Sequence, residues 1–150
     1  MDKEFYMNEA LRLARLAMQN GDVPVGCVIS DSSGRIIGRG RNRREEGKDA
    51  TAHAEVEAIK EACTTVGDWR LDDCTLFVTL EPCPMCAGAI INSRISTVVY
   101  GAKDCISGAC GSVLDLFSEH FGHSPAVFTG ILESSCSGLL KEFFSGLREH

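Results

Sequence analysis

The chain has 150 residues, 44% of them hydrophobic, which suits one compact domain over 1–150 and is short for two. A formal net charge of −6 argues against indiscriminate attraction to polyphosphate. The opening "MDKEFYMNEALRLARLAMQN" mixes acid, base and apolar residues unlike an export signal, and no eighteen apolar residues follow one another, so a cytoplasmic protein without membrane contact is expected.

In chain order, Met7, Ala10, Leu11, Ala14, Ala17 and Met18 recur at helical spacing and predict a first helix with one buried face, ended by "NGD". "VPVGCVIS" reads as a buried strand, "DSSG" as a turn and "RIIGRGR" as the returning strand of a hairpin. Five of the fifteen cationic residues, Arg35, Arg39, Arg41, Arg43 and Arg44, lie here. On a strand Arg39, Arg41 and Arg43 share one side, either as a basic stripe leading towards residue 53 or as the solvated guard of an edge strand. After a polar loop over 42–50, "TAHAEVEAIKEAC" predicts a second helix with Val56, Ile59 and Cys63 as its inward stripe. "CTLFVTL" is a strong buried strand, and "PMCAGAIINS" a short helix that tolerates Pro84 in its first turn. "STVVYGA" is a further strand, "AVFTGIL" a weaker one, and 134–147 a closing helix. Helices alternating with strands from residue 51 onward favour helices covering a sheet.

Eight cysteines without an export signal read as reduced thiols, some of them metal ligands, rather than a disulfide framework. Cys83 and Cys86, three apart at a helix start, bring their sulfurs to one face, where free backbone N–H groups favour the thiolates. C-x-x-C alone equally fits a redox pair or half of a structural zinc site. His53 is a third candidate ligand, although one histidine on a helix is more often a packed or solvated side chain. Glu55 is harder to place, because an ideal helix separates i and i+2 by about 200°. It joins His53 only if His53 sits at the helix end. A catalytic zinc keeps a coordination position open, whereas a structural one is closed by four protein ligands. Cys105, Cys110, His120 and His123 are the candidates for such closure, and Cys27, Cys63, Cys74 and Cys136 look like small core residues.

Taken together, "TAHAEVEAI" and "VTLEPCPMCAGAI" resemble the H-x-E and P-C-x-x-C signature that defines the zinc-dependent cytidine/deoxycytidylate deaminase superfamily. "DVPVGCVI", "GRGRNR", "SRISTVVYGAKD" and "GACGSVLDL" are similar to its branch of bacterial tRNA-specific adenosine deaminases, and the likeness runs from about Met7 to Leu147. The resemblance implies a three-layer α/β/α sandwich around a mixed five-stranded sheet of the cytidine deaminase-like type. It implies one Zn2+ per subunit, held by His53, Cys83 and Cys86, with Glu55 as the proton shuttle. Asn42 matches a base-contacting position, Ala54 one whose backbone helps hold the base, and Asp104 one near the ribose. The implied reaction converts the wobble adenosine of a tRNA anticodon loop to inosine, releasing ammonia, in a homodimer.

Two thiolates cancel the formal charge of the metal, so its water is acidified less than in an all-histidine site and a local base is needed. Glu55 meets that need. A rival enzyme reading is a free-base or nucleoside deaminase such as guanine deaminase, which shares the zinc signature. A rival of another class is a non-catalytic zinc module that binds RNA or protein and has its fourth ligand supplied by the chain.

Overall fold

The computed structural model describes residues 2–148. Its elements are α1 (Lys3–Gln19), β1 (Gly26–Ser30), β2 (Ile36–Arg41), α2 (Ala54–Val66), β3 (Thr75–Leu80), α3 (Pro84–Ser93), β4 (Thr97–Ala102), a 3-10 turn (Leu116–Ser118), β5 (Ala126–Thr129) and α4 (Glu133–Arg148). The strands form one sheet in the order β2-β1-β3-β4-β5. β1 runs antiparallel to β2 and β3, whereas β3, β4 and β5 are mutually parallel, so the sheet is mixed as expected.

Each sheet face carries its own apolar layer, which makes the three-layer sandwich. On one face Cys27, Ile29, Leu76, Val78 and Val98 pack against Ala54, Ala58 and Ala62 of α2 and Ala87, Ile90 and Ile91 of α3. On the other, Val28, Phe77 and Val99 meet Met7, Ala10, Leu11 and Ala14 of α1, with Cys136 and Leu139 of α4. Alternation along β1 and β3 sends neighbouring residues to opposite layers, and Tyr6 stacks on Phe77 with ring centroids 4.7 Å apart. Asp2 caps α1 by accepting the Phe5 N–H, and α2 ends where Gly67 takes φ 75°. No described helix is long and apolar enough to cross a membrane.

Of the expected inward stripe of α2, Ile59 and Cys63 pack partly covered against the core while Val56 does not, and the fully buried positions are others. Ala54, Glu55, Ala58 and Ala62 are the buried residues, while those three are only partly covered. The reason lies in β2. A Cβ on Gly40 would meet Ala58 N at 2.7 Å, and one on Gly38 would meet Ala62 N at 3.0 Å. Helix and strand backbones therefore approach so closely that glycine on one side and alanine on the other are the residues that fit. β2 is the sheet edge, as its arginines suggested, and Arg41 pairs with Glu46 at 2.7 Å.

Candidate active site

His53 is the residue before α2, with extended backbone (φ −83°, ψ 152°), and Glu55 lies inside the first turn. The pair thus straddles the helix boundary, and the 200° separation of a continuous helix does not apply. Cys83 occupies the equivalent position before α3, with Pro84 opening the helix and Cys86 in its first turn. Two helix starts face each other at the ends of adjacent segments.

His53 Nδ1 lies 3.6 Å from Cys83 Sγ and 3.5 Å from Cys86 Sγ. Zn–S and Zn–N bonds at a tetrahedral angle require an N···S separation of roughly 3.6 Å. The donor set and its spacing therefore fit zinc. Among the described residues, these three form the one group of ligand-type side chains close enough together to hold a metal ion. The candidates for closing the site lie elsewhere. Cys105 is exposed, as is His120. His123 Nε2 is 2.7 Å from the Ile95 carbonyl, and Cys110 is buried with its sulfur 4.0 Å from the Pro82 carbonyl.

The electrostatics of these side chains are those of a ligand cluster sharing protons. Hydrogen bonding from the Cys86 thiol, then from His53, draws Cys83 down to about 4. Cys86 is pushed far up by its bond to the Cys83 sulfur and by burial. The Cys83 thiolate raises His53. Glu55 is 4% exposed, and burial lifts its carboxyl to about 7. A carboxyl balanced near neutrality can both accept and return a proton.

A cavity of about 180 Å³ opens beside this cluster and is lined by His53, Glu55, Cys83, Asn42, Ala54 and Asp104, together with Val23, Val25, Arg44, Leu80, Glu81 and Ser107. Every sequence-derived site residue except the fully buried Cys86 faces it. Asn42 is held by its own loop, its Nδ2 donating to Val23 O at 3.2 Å and its Oδ1 accepting from Arg44 N at 3.0 Å. Asp104 Oδ1 accepts the N–H groups of Ile106 (3.0 Å) and Ser107 (3.2 Å), and Oδ2 accepts the Ser107 hydroxyl at 2.8 Å. Of the arginines, Arg44 reaches the cavity, whereas Arg39, Arg41 and Arg43 do not line it.

Two buried carboxylates escaped sequence reasoning. Asp22, 1% exposed, accepts the N–H groups of Glu45 at 2.7 Å and Glu46 at 3.1 Å and so fixes the loop that carries Asn42 and Arg44. Glu81, 2% exposed, accepts from Asp104 N, Cys110 N and Ser112 N on the opposite wall. Their one sequence signal is an acid directly beside a buried strand.

The family described as the cytidine and deoxycytidylate deaminase zinc-binding region matches residues 1–102. The chain belongs to this deaminase family. His53, Glu55, Cys83 and Cys86 all fall inside the matched span, and Asp104 lies just beyond it. A deaminase relative, the tRNA-specific adenosine deaminase of Bacillus subtilis, is 47% identical over 147 residues, covering 97% of this chain and 91% of its own length. A solved structure from a study of A-to-I editing by tRNA:A34 deaminases at the wobble position of transfer RNA has a TM-score of 0.86 at 43% identity. That match covers 90% of this chain and 98% of the other. Guanine deaminase from Nitrosomonas europaea shares the deaminase fold with a TM-score of 0.77 at 26% identity, covering 95% of this chain and 84% of its own.

Proposed function

We propose that this protein deaminates the wobble adenosine of a tRNA anticodon loop to inosine by hydrolysis, as a single domain over 1–150. The observation that carries the chemistry is the buried carboxyl of Glu55 beside a three-ligand cluster that leaves a cavity in front of it. The near full-length likeness to tRNA-specific adenosine deaminases supports the choice of substrate.

His53, Cys83 and Cys86 would hold zinc, which when bound supplies a Lewis acid for activating water. Glu55 takes a proton from the attacking water and delivers it to N1 of the adenine ring as oxygen bonds to C6. It then takes the proton of the new hydroxyl and passes it to the exocyclic nitrogen, so that the C–N bond breaks, the C6 carbonyl forms and ammonia leaves. One water enters, one ammonia departs, and Glu55 ends as it began.

The cavity, about 180 Å³, falls below the roughly 300–1,000 Å³ typical of pockets for drug-sized ligands. It suits one extruded base with ribose and phosphate left outside, the situation of a nucleotide in a single-stranded loop. On this reading Asn42 and the backbone at Ala54 meet the base and Asp104 meets the ribose, in keeping with all three lining the cavity. Arg44 offers a cation to flanking phosphate. We extend the reading to a cytoplasmic homodimer with one zinc per subunit. The exposed apolar side chains Met85, Ile106, Val113 and Leu114, on the α3 start and the loop bonded to it, support the second copy.

The test is incubation with an anticodon stem-loop bearing a wobble adenosine, followed by sequencing for inosine. Likeness to a guanine deaminase gives a second reading its footing. Ammonia released from guanine, with no inosine in the stem-loop, would favour that reading.

A further inference from the structure

Glu81 directly follows β3 on the way to Cys83, yet it is not among the ligand candidates, and its carboxylate, which lines the cavity, is bonded to the loop after β4. Four donors converge on it. Oε1 accepts from Asp104 N at 3.1 Å and from the Ser112 hydroxyl, and Oε2 accepts from Cys110 N at 3.0 Å and Ser112 N at 3.1 Å. Among the described residues no lysine or arginine forms an ion pair with it. Gly108 lies against the same carboxylate, where an added Cβ would stand 2.5 Å from Oε2. A second tie, Ala109 N to Pro82 O at 2.8 Å, fastens the loop to the next residue along.

These bonds join two parts of the site. Residues 81–86 carry two of the metal-ligand candidates, and residues 104–112 carry Asp104 and Ser107 of the cavity wall. We propose that Glu81 is a positioning residue that holds this wall at a fixed distance from the metal-side turn and so sets how the nucleotide outside the base pocket is gripped. The proposal rests on the deaminase reading above. A backbone loop left alone loses such an arrangement to conformational entropy, and four bonds to one buried side chain oppose that loss at a single point. Asp104 and Ser107 line the cavity, and on the deaminase reading Asp104 faces the ribose, remote from the reacting carbon, so loosening this wall removes binding shared by ground and transition states. That loss appears in KM more than in kcat.

The experiment is Glu81→Gln, which keeps shape but turns an amide NH2 towards groups that are themselves donors. Hydrogen exchange on the substrate-free protein should show the amides of Asp104, Cys110 and Ser112 losing protection at least tenfold. On the stem-loop, KM should rise about tenfold, kcat should change less than about threefold, and zinc per chain should match wild type. Ser112→Ala, which removes one of the four donors, should raise KM about two- to threefold, and it decides the matter should Glu81→Gln fail to fold. Unchanged exchange at those amides together with unchanged KM would overturn the proposal, as would loss of zinc with KM intact. Wild-type protein inactive on the stem-loop would instead overturn the substrate reading, while the exchange measurement continues to test the clamp.

Discussion

Replacing Gly40 by alanine adds one methyl group where α2 crosses β2. That Cβ would meet Ala58 N at 2.7 Å and Glu57 Cβ at 2.9 Å, with Ala54 O closer still. Ordinary contact begins near 3.4 Å, so the helix must retreat by at least 3.4 − 2.7 = 0.7 Å, and by more at Ala54. Two of the three opposing atoms are backbone, which no rotamer change can move aside. Overpacking of this kind costs about 1–3 kcal/mol. The larger effect falls on the site, because Ala54 is flanked by His53 and Glu55. A displacement approaching 1 Å at catalytic groups costs on the order of 10²-fold in rate. Gly38→Ala strains the same helix one turn further along, with Ala58 O nearest to the added Cβ and Ala62 N and Cβ at 3.0 Å, and provides the control. Thermal melts, zinc content and deamination rate should show both variants destabilised by similar amounts, with Gly40→Ala losing far more activity per folded molecule. Equal activity losses in the two variants, or a wild-type melting temperature for Gly40→Ala, would refute the argument.

Glu55→Ala should keep zinc and lose about 10²–10⁴-fold in deamination rate, the range general acid–base groups contribute, whereas Cys86→Ser should lose metal and activity together. Metal analysis beside a rate assay separates the two, and near-normal turnover of Glu55→Ala would remove its assigned role. Asp22→Asn replaces one acceptor of two backbone N–H groups with a donor and should cost about 1–3 kcal/mol, read as a shift in the urea midpoint; no shift would deny Asp22 its hold on the 42–50 loop. Asp31 is held below the usual carboxylate range, first by the Ser33 hydroxyl and further by the N–H groups of Arg35 and Ser33. Its folded pKa lies under its unfolded one, so its contribution is present above about pH 4 and is lost as pH falls through the folded value. Asp31→Ala should therefore be less stable than wild type at pH 7, with the difference shrinking as pH falls below about 4; a pH-independent difference would contradict this.

What the sequence revealed, and what it hid, follows from the range of the interactions. Cys83 and Cys86 were legible because their spacing is local and the helix start that unites them is marked by Pro84. His53 and Glu55 could not be joined by periodicity, since their convergence depends on a helix boundary falling between them. The periodicity of α2 points to Ile59 and Cys63, which flank the core partly covered, but not to the small residues at its centre, where the glycines of β2 admit only alanine at that distance. Glu81 and Asp22 were missed for another reason. Their partners are backbone N–H groups 23 to 31 residues away, and an amide hydrogen leaves no mark on composition or pattern.

Both cavity-wall loops are fastened by buried carboxylates bonded to backbone N–H groups, whereas Arg44, the cation proposed to meet phosphate, is exposed to solvent. Dissolved ions screen exposed charges within about 10 Å at 0.1 M and reach buried ones far less. On the proposed reading, ionic strength in the surrounding fluid would control how long an RNA stays, leaving the shape that receives the base untouched.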